Sequence, residues 1–165
     1  MPKTSPQEKI LGIDPGLATT GYGLINISGN KILLGKAGII KTAVGLPIEK
    51  RLEIIFRELN KLIKKHKPRV VAVEQLFFSR NVKTAMSVGM ARGVILLACS
   101  TNNVALKEYT PLQVKQAITG YGQATKKQIQ LMVKSRLKLK QLPRPDDLAD
   151  ALAIAICCFQ TKKWK

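Results

Sequence analysis

Residues 9–16 read Lys9-Ile10-Leu11-Gly12-Ile13-Asp14-Pro15-Gly16, an apolar run that ends in an acid and a Pro-Gly pair. A run of this length closed by turn residues predicts a short buried strand. Asp14 then lies at the carboxyl end of that strand, where open α/β sheets bind ligands. An Asp that only caps a turn gives the same local pattern, so its role depends on which other acids reach this edge.

A hairpin is predicted immediately after the first strand. Thr20–Ile27 and Lys31–Ile40 are β-prone runs, and Ser28-Gly29-Asn30 between them has turn composition. Together with the first strand they predict an antiparallel meander. Gly21 and Gly23 leave room for another element to approach the sheet closely.

A second strand ending in an acid, Arg69–Glu74, follows a predicted helix over Pro47–Lys65. A strand reached through a helical crossover is normally parallel to its neighbour, so Glu74 is expected to emerge beside Asp14. Val104–Lys107 predicts the last strand of the sheet. The polar side of the first helix is interpreted mainly as an ordinary solvated face, formed by Lys50, Arg51, Arg57, Lys61, Lys64 and Lys65.

Helical periodicity predicts further helices over Asn81–Ser100, Thr110–Thr119, Ala124–Lys138 and Ala151–Phe159. Gly89 and Gly93 lie four residues apart in the second helix, a spacing that permits close packing. The pattern as a whole predicts an α/β fold formed by one domain over residues 1–165, with residues 1–8 as a loose tail.

Two more acids precede the last helix, in Arg144-Pro145-Asp146-Asp147-Leu148-Ala149-Asp150. Asp147 and Asp150 are three residues apart and share a helix face. Their spacing also fits a helix cap, which would be a purely structural role. Asp150, however, stands between two alanines in an apolar run, where a carboxylate without a partner is costly.

The charge of the chain indicates a polyanionic partner. It has 28 Lys and Arg against 10 acids, a net charge of +18, for which nucleic acid is the first candidate and an anionic membrane the second. The apolar runs Gly93–Cys99 and Ala151–Phe159 are too short to span a bilayer, so no membrane association is expected.

The cysteines and the amino-terminal residues indicate the cellular compartment of the protein. Cys99, Cys157 and Cys158 lack zinc-site spacing and are interpreted as core thiols, and Met1–Lys9 has no apolar segment of a secretory signal. We therefore expect a cytoplasmic protein. His66, the only histidine, is expected to end a helix rather than to bind metal.

Four carboxylates can thus meet at one edge: Asp14, Glu74, Asp147 and Asp150. Such a cluster repels itself unless hard cations neutralise it, and oxygen-only ligands favour Mg²⁺, with Mn²⁺ as a substitute. Acid-rich sites of this kind can hold two ions and hydrolyse phosphodiesters. Combined with the basic surface, the cluster predicts a nuclease.

The sequence resembles the RuvC family of Holliday-junction resolvases across nearly its whole length. The order and spacing of six blocks carry the resemblance: Ile13-Asp14-Pro15-Gly16, Thr20-Gly21-Tyr22-Gly23, Glu74-Gln75-Leu76-Phe77, Ala91-Arg92-Gly93, Gln113-Val114-Lys115-Gln116 and Ala149-Asp150-Ala151-Leu152-Ala153.

The resemblance implies a ribonuclease-H-like fold, a five-stranded mixed sheet with helices on both faces. It also implies a homodimer that acts on four-way DNA, received from a branch-migration helicase complex. The metal-binding acids of the family fall on Asp14, Glu74, Asp147 and Asp150, the aromatic near the junction core on Phe77, and DNA-contacting lysines on Lys115 and Lys126. Arg80, close to Phe77 in a basic protein, is a further candidate for DNA contact.

Two other classes fit parts of the sequence. A non-enzymatic RNA-binding protein such as a ribosomal component would explain the charge, but not Asp150 within an apolar helix. An actin-like phosphotransferase also has Asp-x-Gly after a strand, but it needs two such domains and a second phosphate loop.

Overall fold

The computed structural model describes residues 7–75 and 81–161. Its sheet has five strands in the order β3-β2-β1-β4-β5. Pairing is antiparallel between β1 and β2 and between β2 and β3, and parallel between β1 and β4 and between β4 and β5. The strands are β1 (Glu8–Asp14), β2 (Thr19–Ser28), β3 (Lys31–Lys41), β4 (Val70–Glu74) and β5 (Ala105–Tyr109).

Five helices complete the described part of the chain: α1 (Ile48–His66), α2 (Val82–Thr101), α3 (Pro111–Thr119), α4 (Lys126–Arg136) and α5 (Asp146–Thr161). The predicted mixed sheet with its antiparallel meander is confirmed. Several predicted boundaries are wrong by one to five residues. Glu8 already belongs to β1 rather than to a loose tail, and α5 begins at Asp146, five residues before the predicted start.

Local chemistry explains where several elements begin and end. The hairpin turns at Gly29, whose φ is 61°, a conformation that glycine adopts readily. Thr110 and Thr125 form capping boxes with Gln113 and Gln128, which fix the starts of α3 and α4. His66 is the last residue of α1, as predicted.

The side chains of the central strands alternate between two cores. Leu11, Ile13 and Val71 face α1 and α2, whereas Ile10 and Val70 face α3, α4 and α5. Helices therefore cover both faces of the sheet, as predicted. The three cysteines are free thiols buried in these cores.

Helix α5 lies unusually close to the sheet because glycines face it. A Cβ added at Gly12 would come within 2.1 Å of the carbonyl oxygen of Ala151, and one at Gly21 within 2.0 Å of that of Asp147. Only a residue without a side chain fits these contacts. The room that Gly21 and Gly23 were predicted to leave is therefore occupied by α5.

Helix α2 is apolar on more than one side. Ala91, Ile95 and Ala98 are buried in the core shared with α1, whereas Met86 and Leu97 are exposed. By length and composition alone, this is the single helix of the described ranges that could cross a membrane. The predicted run Gly93–Cys99 is only part of this 20-residue helix, whose exposed side needs a separate explanation.

Candidate active site

The strand-end acids lie side by side. Asp14 ends β1 and Glu74 ends β4, and these strands are parallel neighbours in which Ile13 pairs with Val73. The carboxyl ends of parallel strands meet at one edge of a sheet, so both carboxylates emerge there.

The helical acids reach the same edge through the close packing of α5. Asp14 pairs with Gly21 across the β1–β2 ladder, and Gly21 is the position that contacts the backbone of Asp147. Asp150 lies one turn further along α5, on the same face. The missing side chain of Gly21 thus places the helical acids beside the strand-end acids.

The four carboxylates interact electrostatically. The pKa of Asp14 is raised from its ordinary 3.8 to about 8, first by burial and then by the charges of Asp150, Glu74 and Asp147 in that order, whereas Lys126 lowers it. The pKa of Glu74 is raised by burial and then by Asp150. Negative charge at this edge is therefore unfavourable in the protein alone, which is the condition that a bound cation relieves.

Asp150 is half-buried, and burial raises its pKa against the opposing effect of Lys126. The Lys126 Nζ lies 3.4 Å from Asp150 Oδ2 and 3.2 Å from Asp146 Oδ2. Because α5 starts at Asp146, Asp150 lies beyond its first turn and caps nothing. The capping alternative is therefore wrong for Asp150.

Asp146 and Asp147, although adjacent, have different surroundings. Asp146 is exposed, accepts a hydrogen bond of 2.9 Å from Gln130 Nε2, and has its pKa lowered chiefly by Lys126. Asp147 is among the charges that act on Asp14, whereas Asp146 is not. This difference favours Asp147 as the member of the cluster.

The predicted lysines lie next to the acids. A cavity of about 250 Å³ is lined by Glu74, Lys115, Lys126 and Asp150 together with apolar residues of α3, α4 and α5. Lys115 and Lys126 both lower the pKa of Glu74, opposing the effect of its burial. Phe77 and Arg80 lie outside the described residues, so their roles stay predictions.

The donor set fits a hard divalent cation, because the four acids supply only oxygen. Across residues 7–75 and 81–161, no group of three or more His, Cys, Asp or Glu side chains is close enough to hold a metal ion. The four carboxylates would therefore have to move closer to one another when a cation binds.

Sequence patterns missed several residues that support this edge. Thr20, Thr42 and Gln130 are buried polar residues, and each forms a hydrogen bond there. Arg51, interpreted as part of a solvated face, instead is half-buried and donates to Thr42. Helical periodicity cannot reveal such contacts, although a polar residue directly after an edge strand, as Thr42 is, is a weak signal.

Fold and site together define an α/β nuclease of the ribonuclease-H-like class, with acids at one sheet edge and a strongly basic chain. Comparison with known proteins narrows this class. The sequence model of the family described as "Crossover junction endodeoxyribonuclease RuvC" matches residues 10–158. The chain therefore belongs to the RuvC family of crossover junction endodeoxyribonucleases.

The sequences of individual relatives align with this chain over almost their full length. The RuvC of Alkaliphilus oremlandii is 54% identical over 152 residues, which cover 92% of this chain and 93% of the relative. That of Pelotomaculum thermopropionicum is 49% identical over 156 residues, 94% and 95% of the two chains. The ribosomal and actin-like alternatives are thereby excluded.

Solved structures show the same fold. T. thermophilus RuvC in complex with Holliday junction substrate matches with a TM-score of 0.90 at 37% identity, covering 94% of this chain and 95% of that chain. The yeast mitochondrial Holliday junction resolvase Ydc2 matches with a TM-score of 0.70 at 14% identity, over 99% and 84% of the two chains, which supports the fold alone. The predicted ribonuclease-H-like fold is confirmed.

Proposed function

We propose that this protein resolves four-way DNA junctions by metal-dependent phosphodiester hydrolysis at Asp14, Glu74, Asp147 and Asp150. The observation that carries the proposal is the electrostatic coupling of Asp14 to the other three acids, which come from two strands and one helix. Acids so distant in sequence have no common structural task at a sheet edge, whereas a shared cation gives them one.

Mg²⁺ is the proposed cofactor, with Mn²⁺ as a substitute and two ions per site. When bound, the ions would activate water and stabilise the leaving oxygen of the broken phosphodiester bond. The four carboxylates would hold and orient the ions. Lys126 pairs with both Asp146 and Asp150 in the protein alone, and a cation that neutralises Asp150 would weaken one of these pairs and favour contact of the lysine with a DNA phosphate.

The basic residues supply the affinity for DNA. A net charge of +18 attracts the phosphate backbone and offsets the repulsion of DNA by the acids. Lys115 and Lys126 line the cavity beside Glu74 and Asp150, so they are the proposed contacts nearest to the broken bond. Phe77, which follows Glu74 by three residues, is proposed to stack on a base at the crossover.

A homodimer is part of the proposal because resolution requires two matched cuts and each chain has acids for one site. Helix α2 carries the surface for it. Met86, Met90, Gly93 and Leu97 recur at a 4-3-4 spacing on its exposed side, the spacing by which paired helices interlock. Among the described residues, no atom lies within 4 Å of a Cβ built at Gly93, which leaves room for a second helix to approach.

Met90→Lys tests this interface, with Leu131→Lys as the control. Both residues are exposed apolar side chains, 40% and 47% accessible, but Leu131 lies on α4. Sedimentation should show dimers for the wild type and Leu131→Lys and monomers for Met90→Lys. On a cruciform plasmid, Met90→Lys should then give single nicks instead of the linear product of paired cuts. Monomeric wild type on junction DNA would contradict the dimer.

The activity itself is tested with a synthetic four-way junction and a linear duplex of the same sequence. We expect cleavage of the junction only, dependent on Mg²⁺ and abolished by a chelator. Equal cleavage of the linear duplex, or cleavage that survives chelation, would refute the proposal. Delivery of the junction by a branch-migration helicase complex and a cytoplasmic location stay predictions, supported by the family resemblance and by the sequence.

A further inference from the structure

Buried polar side chains of the described residues concentrate at the catalytic edge. They are Thr20, Thr42 and Gln130. Thr20 Oγ1 donates to the carbonyl oxygen of Gly16 at 2.6 Å, and Thr42 Oγ1 donates to that of Leu17 at 2.6 Å. Burying polar groups is unfavourable unless they are bonded, so these bonds fix the turn that follows Asp14.

Thr42 holds this turn at two points and is itself held by Arg51. Its backbone N–H donates to the carbonyl oxygen of Ala18 at 3.0 Å, beside the side-chain bond to Leu17. Arg51 Nε donates to Thr42 Oγ1 at 2.9 Å. A hydroxyl has one proton, which is directed to Leu17, so its oxygen is left to accept from the guanidinium. Hydrogen-bond donation thus passes from Arg51 to Thr42 and from Thr42 to the turn after Asp14.

Unlike two other arginines on α1 and α2, Arg51 has no acid partner within the described residues. Arg57 pairs with Glu58, and Arg92 with Glu108. No ion pair involves Arg51 within the described part of the chain, and its Nε is occupied by Thr42. Two terminal nitrogens of a half-buried guanidinium therefore lie beside the catalytic turn without a carboxylate.

We propose that Arg51 binds a backbone phosphate of the DNA strand that enters the four-carboxylate edge, and that Thr42 orients its guanidinium for this contact. The planar guanidinium offers paired donors that match phosphate geometry, and with Nε fixed the terminal pair remains for the ligand. Because the same hydrogen bonds fix the turn after Asp14, Arg51 would position the DNA strand relative to Asp14. This inference rests on the proposed function, since it needs DNA at this edge.

Arg51→Gln tests the contact, and Arg57→Gln is the matched control, because both remove one positive charge from the same helix. We expect Arg51→Gln to weaken binding of a four-way junction about ten-fold, the loss typical of one charge-assisted hydrogen-bonded contact. The slope of log affinity against log salt should become shallower by about 0.9, as for one lost phosphate contact. Arg57→Gln should change neither quantity.

Two further variants separate positioning from charge. Arg51→Lys keeps the charge but loses the paired donors, so the salt slope should stay while cleavage at saturating DNA falls. Thr42→Val removes the hydroxyl, so it should weaken binding in the wild-type background but have little further effect in Arg51→Gln. All binding is measured below the melting temperature of each variant and per folded molecule, so a loss of stability cannot imitate a loss of contact.

Equal affinity and equal salt slope for Arg51→Gln and Arg57→Gln would overturn the inference, and so would fully additive effects of Thr42→Val and Arg51→Gln. If the wild type cuts junctions normally in either case, only the inference on Arg51 fails. If the wild type does not cut junctions, the proposed function fails instead.

Discussion

Asp14→Asn should stabilise the metal-free protein at alkaline pH while abolishing cleavage. The pKa of Asp14 is raised by burial and by neighbouring acids to about 8, from an ordinary 3.8. Between these two values the folded protein binds a proton that the unfolded chain releases. The free energy of unfolding of the wild type therefore falls as pH rises through this window. Asparagine has no charge to lose, so it removes this dependence.

The size of the effect follows from the shift. Each pKa unit corresponds to about 1.36 kcal/mol, so a pKa of about 8 in place of 3.8 sets a ceiling of roughly 5–6 kcal/mol at high pH. The neighbouring acids share the proton, and a buried amide has its own desolvation cost, so we expect roughly 2 kcal/mol. Below about pH 4 the advantage of Asp14→Asn should vanish, because the carboxyl group is then protonated in both states.

Urea unfolding of the chelator-treated wild type and Asp14→Asn between pH 4 and pH 9 measures this difference directly. The two curves should diverge as pH rises, and added Mg²⁺ should close the gap at pH 8 by stabilising the wild type alone. A constant difference across the whole range would refute the claim that the Asp14 carboxylate is destabilised by its surroundings. Asp14→Asn that is less stable at pH 8 would refute it as well.

Three other changes probe the same edge. Gly21→Ala should place a methyl group against the backbone of Asp147, costing on the order of 1–3 kcal/mol in thermal stability and lowering cleavage by displacing α5; unaltered stability and cleavage would contradict the close packing. Phe77→Ala should impair junction resolution without lowering the melting temperature, by losing a stacking interaction of roughly 1–3 kcal/mol; a large loss of stability instead would make it a core residue. Lys126→Ala should make the salt dependence of junction binding shallower by about 0.9, and an unchanged slope would remove Lys126 from the phosphate contacts.

The sheet and its acids could be predicted because their signals are local. The run that ends at Asp14 and the run that ends at Glu74 each combine apolar residues, an acid and a break in pattern. The hairpin around Gly29 could be predicted from the sequence in the same way. Parallel pairing through a helical crossover then brings the two acids together without further information.

Other features depend on contacts that no local pattern records. Arg51 and Thr42 belong to different elements, and Thr42 bonds to a carbonyl 25 residues away. Helical periodicity distinguishes an apolar face from a polar one but cannot show that a polar residue reaches another loop. The early start of α5 was missed for a different reason, because Pro145 and the two acids after it are typical of a first helical turn and were not used as that signal.

The exposed side of α2 shows a different limit. The spacing of Gly89 and Gly93 suggested this helix as the dimer interface, and the structure adds that α1 covers one side of it. Met90 and Leu97 then remain on the other side, exposed. We propose that a second copy of the chain covers this side, because resolution requires two matched cuts.

Cleavage and binding of a four-way junction by Asp150→Asn, with Asp146→Asn as control, test the central claim most directly. Both changes remove one negative charge from the same helix, and both acids lie near Lys126. If Asp150 belongs to the metal site, Asp150→Asn should lose Mg²⁺-dependent cleavage while binding junctions as tightly as the wild type or more tightly, and Asp146→Asn should cut normally. Near-normal cutting by Asp150→Asn would contradict the assignment of the active site.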